Sequence, residues 1–135
     1  MEARNLAATQ ELFARFGAKN VDGILELVCD DVTVEFYGPK AIPYAGTYRG
    51  KTEARRFFET VHATLDIQQF DVEQMTAAGD KVFVTGHLTL TPKSTGIRFE
   101  SDYAHVITLR DGKWLRFRDF MNTAVAAAAF EGRRL

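Results

Sequence analysis

The stretch Trp114-Leu115-Arg116-Phe117-Arg118-Asp119-Phe120-Met121-Asn122 decides how the chain is read. Its side chains alternate, which predicts a strand. Leu115, Phe117, Asp119 and Met121 share one face, and Trp114, Arg116, Arg118 and Phe120 share the other. The first face is apolar except for one carboxylate. An unpaired buried charge is costly, so Asp119 must be paired, protonated or functional.

The next stretch upstream, Ile97 to Leu109, is also strand-like and reaches the first through Arg110-Asp111-Gly112. The length of that connection sets the register. A three-residue loop with Gly112 left-handed and a bulge beside it keeps odd positions together. Tyr103, His105, Ile107 and Leu109 then share the face of Asp119, while Asp102 lies near Arg118 and Thr108 near Trp114 on the other. A two-residue Asp-Gly turn would instead set His105 opposite Arg118 and Asp119 opposite Ala104. The three-residue loop segregates polar from apolar side chains more cleanly and is the expected one. It brings a histidine and an aspartate into one apolar hollow. Such a pair can hold a proton near neutral pH, the carboxylate fixing the imidazole tautomer. It can equally be a buried hydrogen bond that only stiffens the sheet.

The remaining pattern predicts an α+β domain. Residues 2–17 read as a helix, with Leu6, Thr9, Gln10, Phe13 and Phe16 at 3-4 spacing, Leu12 beside them and Gly17 as the stop. A shorter helix starts at Asn20-Val21-Asp22, buries Ile24, Leu25, Leu27 and Val28, and ends at Asp30-Asp31. Val32 to Tyr37 reads as a strand with Val32, Val34 and Phe36 on one face. Gly38 to Gly50, with two prolines and the tyrosines Tyr44 and Tyr48, reads as a loop crossing the fold. A third helix from Thr52 and Glu53 buries Ala54, Phe57, Phe58 and Val61. Strands follow at 67–75 and 81–91, the second with Val82, Val84, Gly86, Leu88 and Leu90 inward. Thr123 to Phe130 closes the chain as an alanine-rich helix capped by Thr123 or Asn122.

Bulk composition narrows the function classes. The 135 residues suit one domain, residues 1–135. A net charge of -1 gives no electrostatic pull toward nucleic acid or an acidic membrane. No apolar run approaches the ~20 residues that span a bilayer, and the first residues lack a signal-peptide pattern. The single cysteine, Cys29, excludes an internal disulfide and reads as a small core residue on an apolar helix. A cytoplasmic protein is expected. His62 and His87 read as packing or surface residues. No spacing suggests a metal site, a nucleophile elbow or a phosphate loop.

Four segments resemble one family. They are Asn20-Val-Asp-Gly-Ile-Leu-Glu-Leu-Val-Cys-Asp-Asp-Val-Thr-Val-Glu-Phe36, Tyr44-Ala-Gly-Thr-Tyr-Arg-Gly50, Arg55-Arg-Phe-Phe58 and Asp111-Gly-Lys-Trp-Leu-Arg-Phe-Arg-Asp-Phe-Met-Asn122. The chain is similar to the SnoaL-like branch of the NTF2-like superfamily, with ketosteroid isomerase and limonene-epoxide hydrolase as relatives. The resemblance implies a strongly curved, mainly antiparallel mixed sheet wrapped into a cone around three helices from the first half of the chain. A short C-terminal helix, an apolar cavity for a small hydrophobic molecule and commonly a homodimer go with it.

Acidic or histidine groups on the last two strands do the chemistry in such relatives, and Asp119 matches such a position with His105 at or beside another. The ketosteroid isomerase set is absent: Phe36 stands where the base carboxylate belongs, with Glu35 pointing away, its helix-one tyrosine falls near Leu12 or Phe13, and its oxyanion aspartic acid falls near His105. The Arg-x-Asp of the epoxide hydrolases is replaced by Val84-Thr85-Gly86-His87-Leu88-Thr89. What remains is Asp119 with His105, as in the polyketide cyclases. The expectation is a cofactor-independent isomerase-, cyclase- or lyase-like enzyme. Asp119 would be its acid or base, His105 its partner, and Tyr103, Phe36, Tyr44, Tyr48, Phe58, Leu88, Phe117 and Met121 its ligand wall. A non-catalytic small-ligand-binding module and a dimeric interaction domain are the alternatives.

Overall fold

The computed structural model describes residues 1–135. The chain opens with α1 (Glu2–Gly17), as the 3-4 spacing predicts, but the buried positions are Asn5, Thr9 and Leu12, with Phe13 and Phe16 half-buried and Gln10 exposed. The helix does not end on a left-handed Gly17. Lys19 takes the positive φ of 57°, while Asn20 N–H reaches back to Arg15 O and Lys19 N–H to Phe16 O, which satisfies the last carbonyls.

The second helix is shorter than expected. α2 (Val21–Leu25) is capped by the Asn20 side chain, which accepts from Gly23 N–H at 2.9 Å. The strand β1 (Val28–Phe36) then begins early and takes in Val28 and Cys29. Ile24, Leu25, Leu27 and Val28 have helical spacing, but sheet pairing overrides it: Val28 pairs with Trp114, and Trp114 N–H donates to Leu27 O at 2.9 Å. Cys29 is therefore a buried strand residue, not a helical one. Part of the expected loop is also a strand, β2 (Gly46–Arg49), paired antiparallel to β1. The helix α3 (Gly50–Thr64) buries Ala54, Phe57, Phe58 and Val61 as expected.

The long strands β3 (Leu65–Ala78), β4 (Lys81–Pro92), β5 (Phe99–Arg110) and β6 (Lys113–Met121) complete a six-stranded, curved, unclosed sheet. Its order is β2-β1-β6-β5-β4-β3, antiparallel except for the β1–β6 pair. The helix α4 (Thr123–Phe130) lies against β4 and β5 through Ala126 to Ala129, with Asn122 accepting from Val125 N–H. No helix is long and apolar enough to cross a membrane.

α1 lies on the inner face, tied at its start to two hairpin turns: Gly79 N–H donates to Glu2 and the Arg4 guanidinium donates to Asp111 O, each at 2.8 Å. Halfway along, the Trp114 indole N–H donates to Thr9 Oγ1 at 3.2 Å in the interior. That bond explains a buried threonine in an apolar stripe.

The last hairpin reaches the expected pairing by another route. Asp111 and Gly112 form a two-residue turn, both with positive φ (53° and 75°), as a type I′ turn requires. Arg110 faces Lys113 and Leu109 faces Trp114. One strand position later Thr108 faces Arg116, so Leu115 is the extra residue of a bulge. Beyond it His105 is opposite Asp119. The bulge also reverses the expected side of Trp114, which is buried at 1% exposure against Phe117. The outer-face neighbours differ too: Thr108 lies opposite Arg116 rather than near Trp114, and Asp102 pairs with His87.

Gly86, inward on β4, leaves room for one long-range strut. The Tyr103 hydroxyl passes this position to donate to Asp71 O at 2.9 Å. A Cβ at Gly86 would lie 1.9 Å from Asp71 O and 2.6 Å from the Tyr103 hydroxyl. Gly86→Ala is therefore expected to lower stability by about 1–3 kcal/mol, the usual range for overpacking, measured as a shift of the urea unfolding midpoint. An unchanged midpoint would mean that the strut is not fixed.

Candidate functional site

The inner face of the sheet and the helices α1 and α3 enclose a narrow cavity of about 60 Å³. Of its 18 lining residues 16 are hydrophobic, and the other two are His105 and Asp119. The polar pair expected from the hairpin thus sits in an otherwise apolar wall. Register is the cause: in one cross-strand row, Phe36 of β1, Asp119 of β6 and His105 of β5 stand side by side. Glu35, one residue earlier on β1, points outward and is held by Arg116 at 2.8 Å and by the Tyr37 hydroxyl. These partners hold its carboxyl below the usual range, Arg116 first.

His105 Nε2 and Asp119 Oδ1 are 3.2 Å apart, with side-chain exposures of 3% and 16%. The distance suits a charged pair, but the approach is not a well-aligned hydrogen bond: both ring nitrogens and Asp119 Oδ1 lack a directed protein partner. Unsatisfied polar atoms cost about 1–3 kcal/mol each when buried and are rare without a role. The geometry leaves both groups capacity for a further hydrogen bond in the cavity. Aromatic rings confine the imidazole, with Tyr103 at 4.5 Å, Phe117 at 4.7 Å, Phe13 at 5.8 Å and Phe70 at 6.1 Å between centroids. The ring has little freedom to turn away from Asp119.

Eight of the ten residues expected at the site line the cavity: Asp119, His105, Phe36, Tyr44, Phe58, Leu88, Phe117 and Met121. Tyr103 and Tyr48 are buried beside it instead. Tyr103 is the strut to Asp71, and its ring supports His105 from behind. Tyr48 donates to Tyr44 O at 3.0 Å and packs on Phe57, which fixes the loop that carries Tyr44. Tyr44 itself lies edge-on to Phe36 at 4.9 Å.

Several wall residues were not singled out by the sequence. Leu12, Phe13 and Phe16 come from α1, Phe57 and Val61 from α3, and Leu65, Ile67 and Phe70 from β3. Leu90 and Trp114 complete the wall. The helical residues were legible as an apolar stripe. Trp114 was hidden by the bulge. The three β3 residues had no signal, because that strand alternates poorly and is mostly exposed.

His62 Nε2 lies 3.1 Å from Phe16 O, at the end of α1, and His87 on the outer face contacts Asp102 at 2.9 Å. Neither lines the cavity, although the His62 ring packs behind the wall residue Phe16 at 4.7 Å. No group of three or more His, Cys, Asp or Glu side chains is arranged to hold a metal ion.

The chain belongs to the family of SnoaL-like domains, whose model matches residues 9–117. Among solved structures, an NTF2-like protein from Burkholderia xenovorans LB400 is 27% identical, covers 96% of this chain and 98% of its own, and superposes with a TM-score of 0.89. One from Burkholderia thailandensis E264 is 26% identical, with coverage of 93% and 95% and a TM-score of 0.79. TerC, co-crystallised with polyporic acid, is 25% identical, with coverage of 95% and 98% and a TM-score of 0.80. No curated protein matches the chain.

Burial holds the phenols of Tyr44 and Tyr103 well above the ordinary tyrosine range, and the Asp119 charge adds to the effect at both. Burial also raises Tyr48. The Tyr44 phenol on the cavity wall and the Tyr103 phenol behind it therefore stay neutral. Since the folded values lie above the unfolded ones, this contribution to stability is complete below the ordinary tyrosine range of about 10 and is lost progressively as pH rises from there through the raised folded values. The urea midpoint is expected to fall steadily above about pH 10, and Tyr44→Phe should flatten that fall. An equally steep fall in the variant would assign the effect to other groups.

Proposed function

We propose that the protein binds a small, largely apolar, carbonyl-bearing molecule in the cavity and carries out cofactor-independent acid–base chemistry on it, of the isomerase or cyclase type. Asp119 accepts a proton from the carbon next to the carbonyl. The C–H electron pair moves into the carbonyl, and the His105 N–H steadies the developing oxyanion by a hydrogen bond. Where the enolate is conjugated to a C=C bond, return of the proton from Asp119 to the far carbon completes an isomerisation; attack of the enolate on a second carbonyl, with the Asp119 proton passed to the new alkoxide, completes a cyclisation. The observation that carries this reading is the placement of the only two non-hydrophobic wall residues 3.2 Å apart, each with unused hydrogen-bonding capacity. The apolar surroundings strengthen every such interaction by excluding water. TerC, crystallised with polyporic acid, supports the small-molecule reading by likeness.

The test uses Trp114, the one tryptophan of the chain and part of the cavity wall, as an emission probe of binding. Acetophenone is the ligand, and exchange of its methyl protons for deuterium, followed by NMR, is the reaction. Asp119→Asn is expected to lower the exchange rate by roughly 10²–10⁴-fold while the Trp114 response persists. Exchange at the wild-type rate in the variant removes Asp119 from the chemistry. Binding without any catalysed exchange in the wild type favours the non-catalytic binding module.

We further propose that the working form is a homodimer joined through the outer face of the sheet. What supports it is an apolar band across four neighbouring strands: Tyr37 (44% exposed) just past β1, Phe120 on β6, Val106 on β5 and Phe83 (41% exposed) on β4. The rings of Tyr37 and Phe120 lie 5.5 Å apart, and the Arg118 guanidinium covers Phe120 at 5.2 Å. Exposed aromatics grouped in this way mark association surfaces. Light scattering after gel filtration is expected to give twice the chain mass for the wild type and the single-chain mass for Phe83→Asp. A monomeric wild type would rule the proposal out.

A further inference from the structure

We propose that the cavity is the inner half of a two-part site, and that its ligand is an elongated, ring-containing molecule whose outer end carries an uncharged polar group such as a hydroxyl. This rests on the small-molecule reading above and goes beyond it by assigning the outer half and the length of the ligand. Between the end of α1 and the first half of β3 lies a second hollow, of about 360 Å³. Four residues, Phe13, Phe16, Ile67 and Phe70, line both this hollow and the cavity. They form a partition about one side chain thick. Its rings stand apart in loose tilted contact, Phe16 to Phe70 at 5.6 Å and Phe13 to Phe70 at 6.1 Å.

Volume is the first argument. The inner space of about 60 Å³ is far below the roughly 300–1,000 Å³ of sites that enclose a drug-sized ligand. The two spaces joined reach that range.

Mobility is the second. Phe70 sits on β3, which is the last strand of the sheet and is bonded on one side only. Its register with β4 slips on either side of Phe70, between Ile67 and Gln69 and again between Val72 and Gln74. Bulges re-aim side chains and interrupt the ladder, so Phe70 stands on an edge strand whose pairing is broken on both sides of it. The Tyr103 bond to Asp71 O holds the backbone next to Phe70, which leaves side-chain rotation as the way to open it.

The rim supplies the third argument. Lys19 and Asp66 flank the outer hollow, and neither makes a side-chain hydrogen bond or ion pair within the chain, as the partners of every other bridge show. One positive and one negative group together suit a hydroxyl, which accepts from the first and donates to the second. A full charge of either sign would meet one of them unfavourably.

Gly17 provides the test. It lines the outer hollow but not the cavity. A Cβ there meets nothing within 4 Å, and its φ is ordinary. Gly17→Leu therefore adds bulk at the wall of the hollow without backbone strain, on a helix that favours leucine over glycine. The probes are acetophenone and para-(hydroxyphenyl)acetophenone, with dissociation constants taken from Trp114 emission and thermal melts confirming the fold. The expected result is a loss of about tenfold or more, equivalent to about 1.4 kcal/mol, for the longer probe only. Val72→Phe, from the opposite wall of the hollow, leaves Trp114 the one emitter and is expected to act in the same direction.

Equal affinities of wild type and both variants for the longer probe would overturn the outer site. Equal losses for both probes would also overturn it, by showing that the substitutions disturb the inner cavity rather than an outer binding surface. If neither probe perturbs Trp114 in the wild type, the small-molecule reading itself fails, and the two-part site with it.

Discussion

One extra residue in β6 governs the site. Leu115 has no partner on β5, and the pairing on its two sides differs by one position. Side chains alternate along a strand, so a shift of one residue exchanges the two faces. Without the bulge, the two-residue Asp111-Gly112 turn would send Asp119 to the outer face and leave His105 beside Arg118. With it, Trp114, Phe117 and Asp119 all reach the interior. The bulge thus reconciles the turn that the Asp-Gly pair favours with the register that the core requires.

The interior then has to hold two polar groups in a wall of hydrocarbon. It does so by restricting their surroundings rather than by pairing them fully. Four aromatic rings confine His105, and Phe36 flanks Asp119 on the next strand. Behind these, Tyr103 reaches past Gly86 to Asp71, and Tyr48 fixes the backbone of Tyr44. The hydroxyls of these two tyrosines are used in holding the wall in place. Rigid support of this kind allows unsatisfied hydrogen-bonding capacity to persist in a folded protein.

Much of the fold was legible in local pattern. The stripe Ala54, Phe57, Phe58 and Val61, the alternation from Val82 to Leu90 and the Asn122 cap all appear where the sequence sets them. The losses occur where pairing partners decide. Ile24 to Val28 has helical spacing, yet Val28 joins the sheet because Trp114 is there to pair with it. Gly46 to Arg49 looks like loop until β1 offers it an edge. At the site, the pairing of His105 with Asp119 was legible from face segregation, but by way of a loop of the wrong length. Tyr48 and Tyr103 were legible as buried tyrosines, and nothing local distinguishes a hydroxyl lining a cavity from one holding a strand.

The sequence by itself determined the α+β class, the family likeness, the inward faces of the long strands and the presence of a carboxylate in an apolar row. These depend on periodicity and residue type, which are properties of neighbouring positions along the chain. Tertiary structure alone decided that Trp114 faces inward, that Phe70 of the edge strand stands against Phe13 and Phe16 of α1, and that His105 and Asp119 come within 3.2 Å. Those outcomes depend on a register set by one unpaired residue and on contacts between segments far apart in sequence, and no local pattern carries that information.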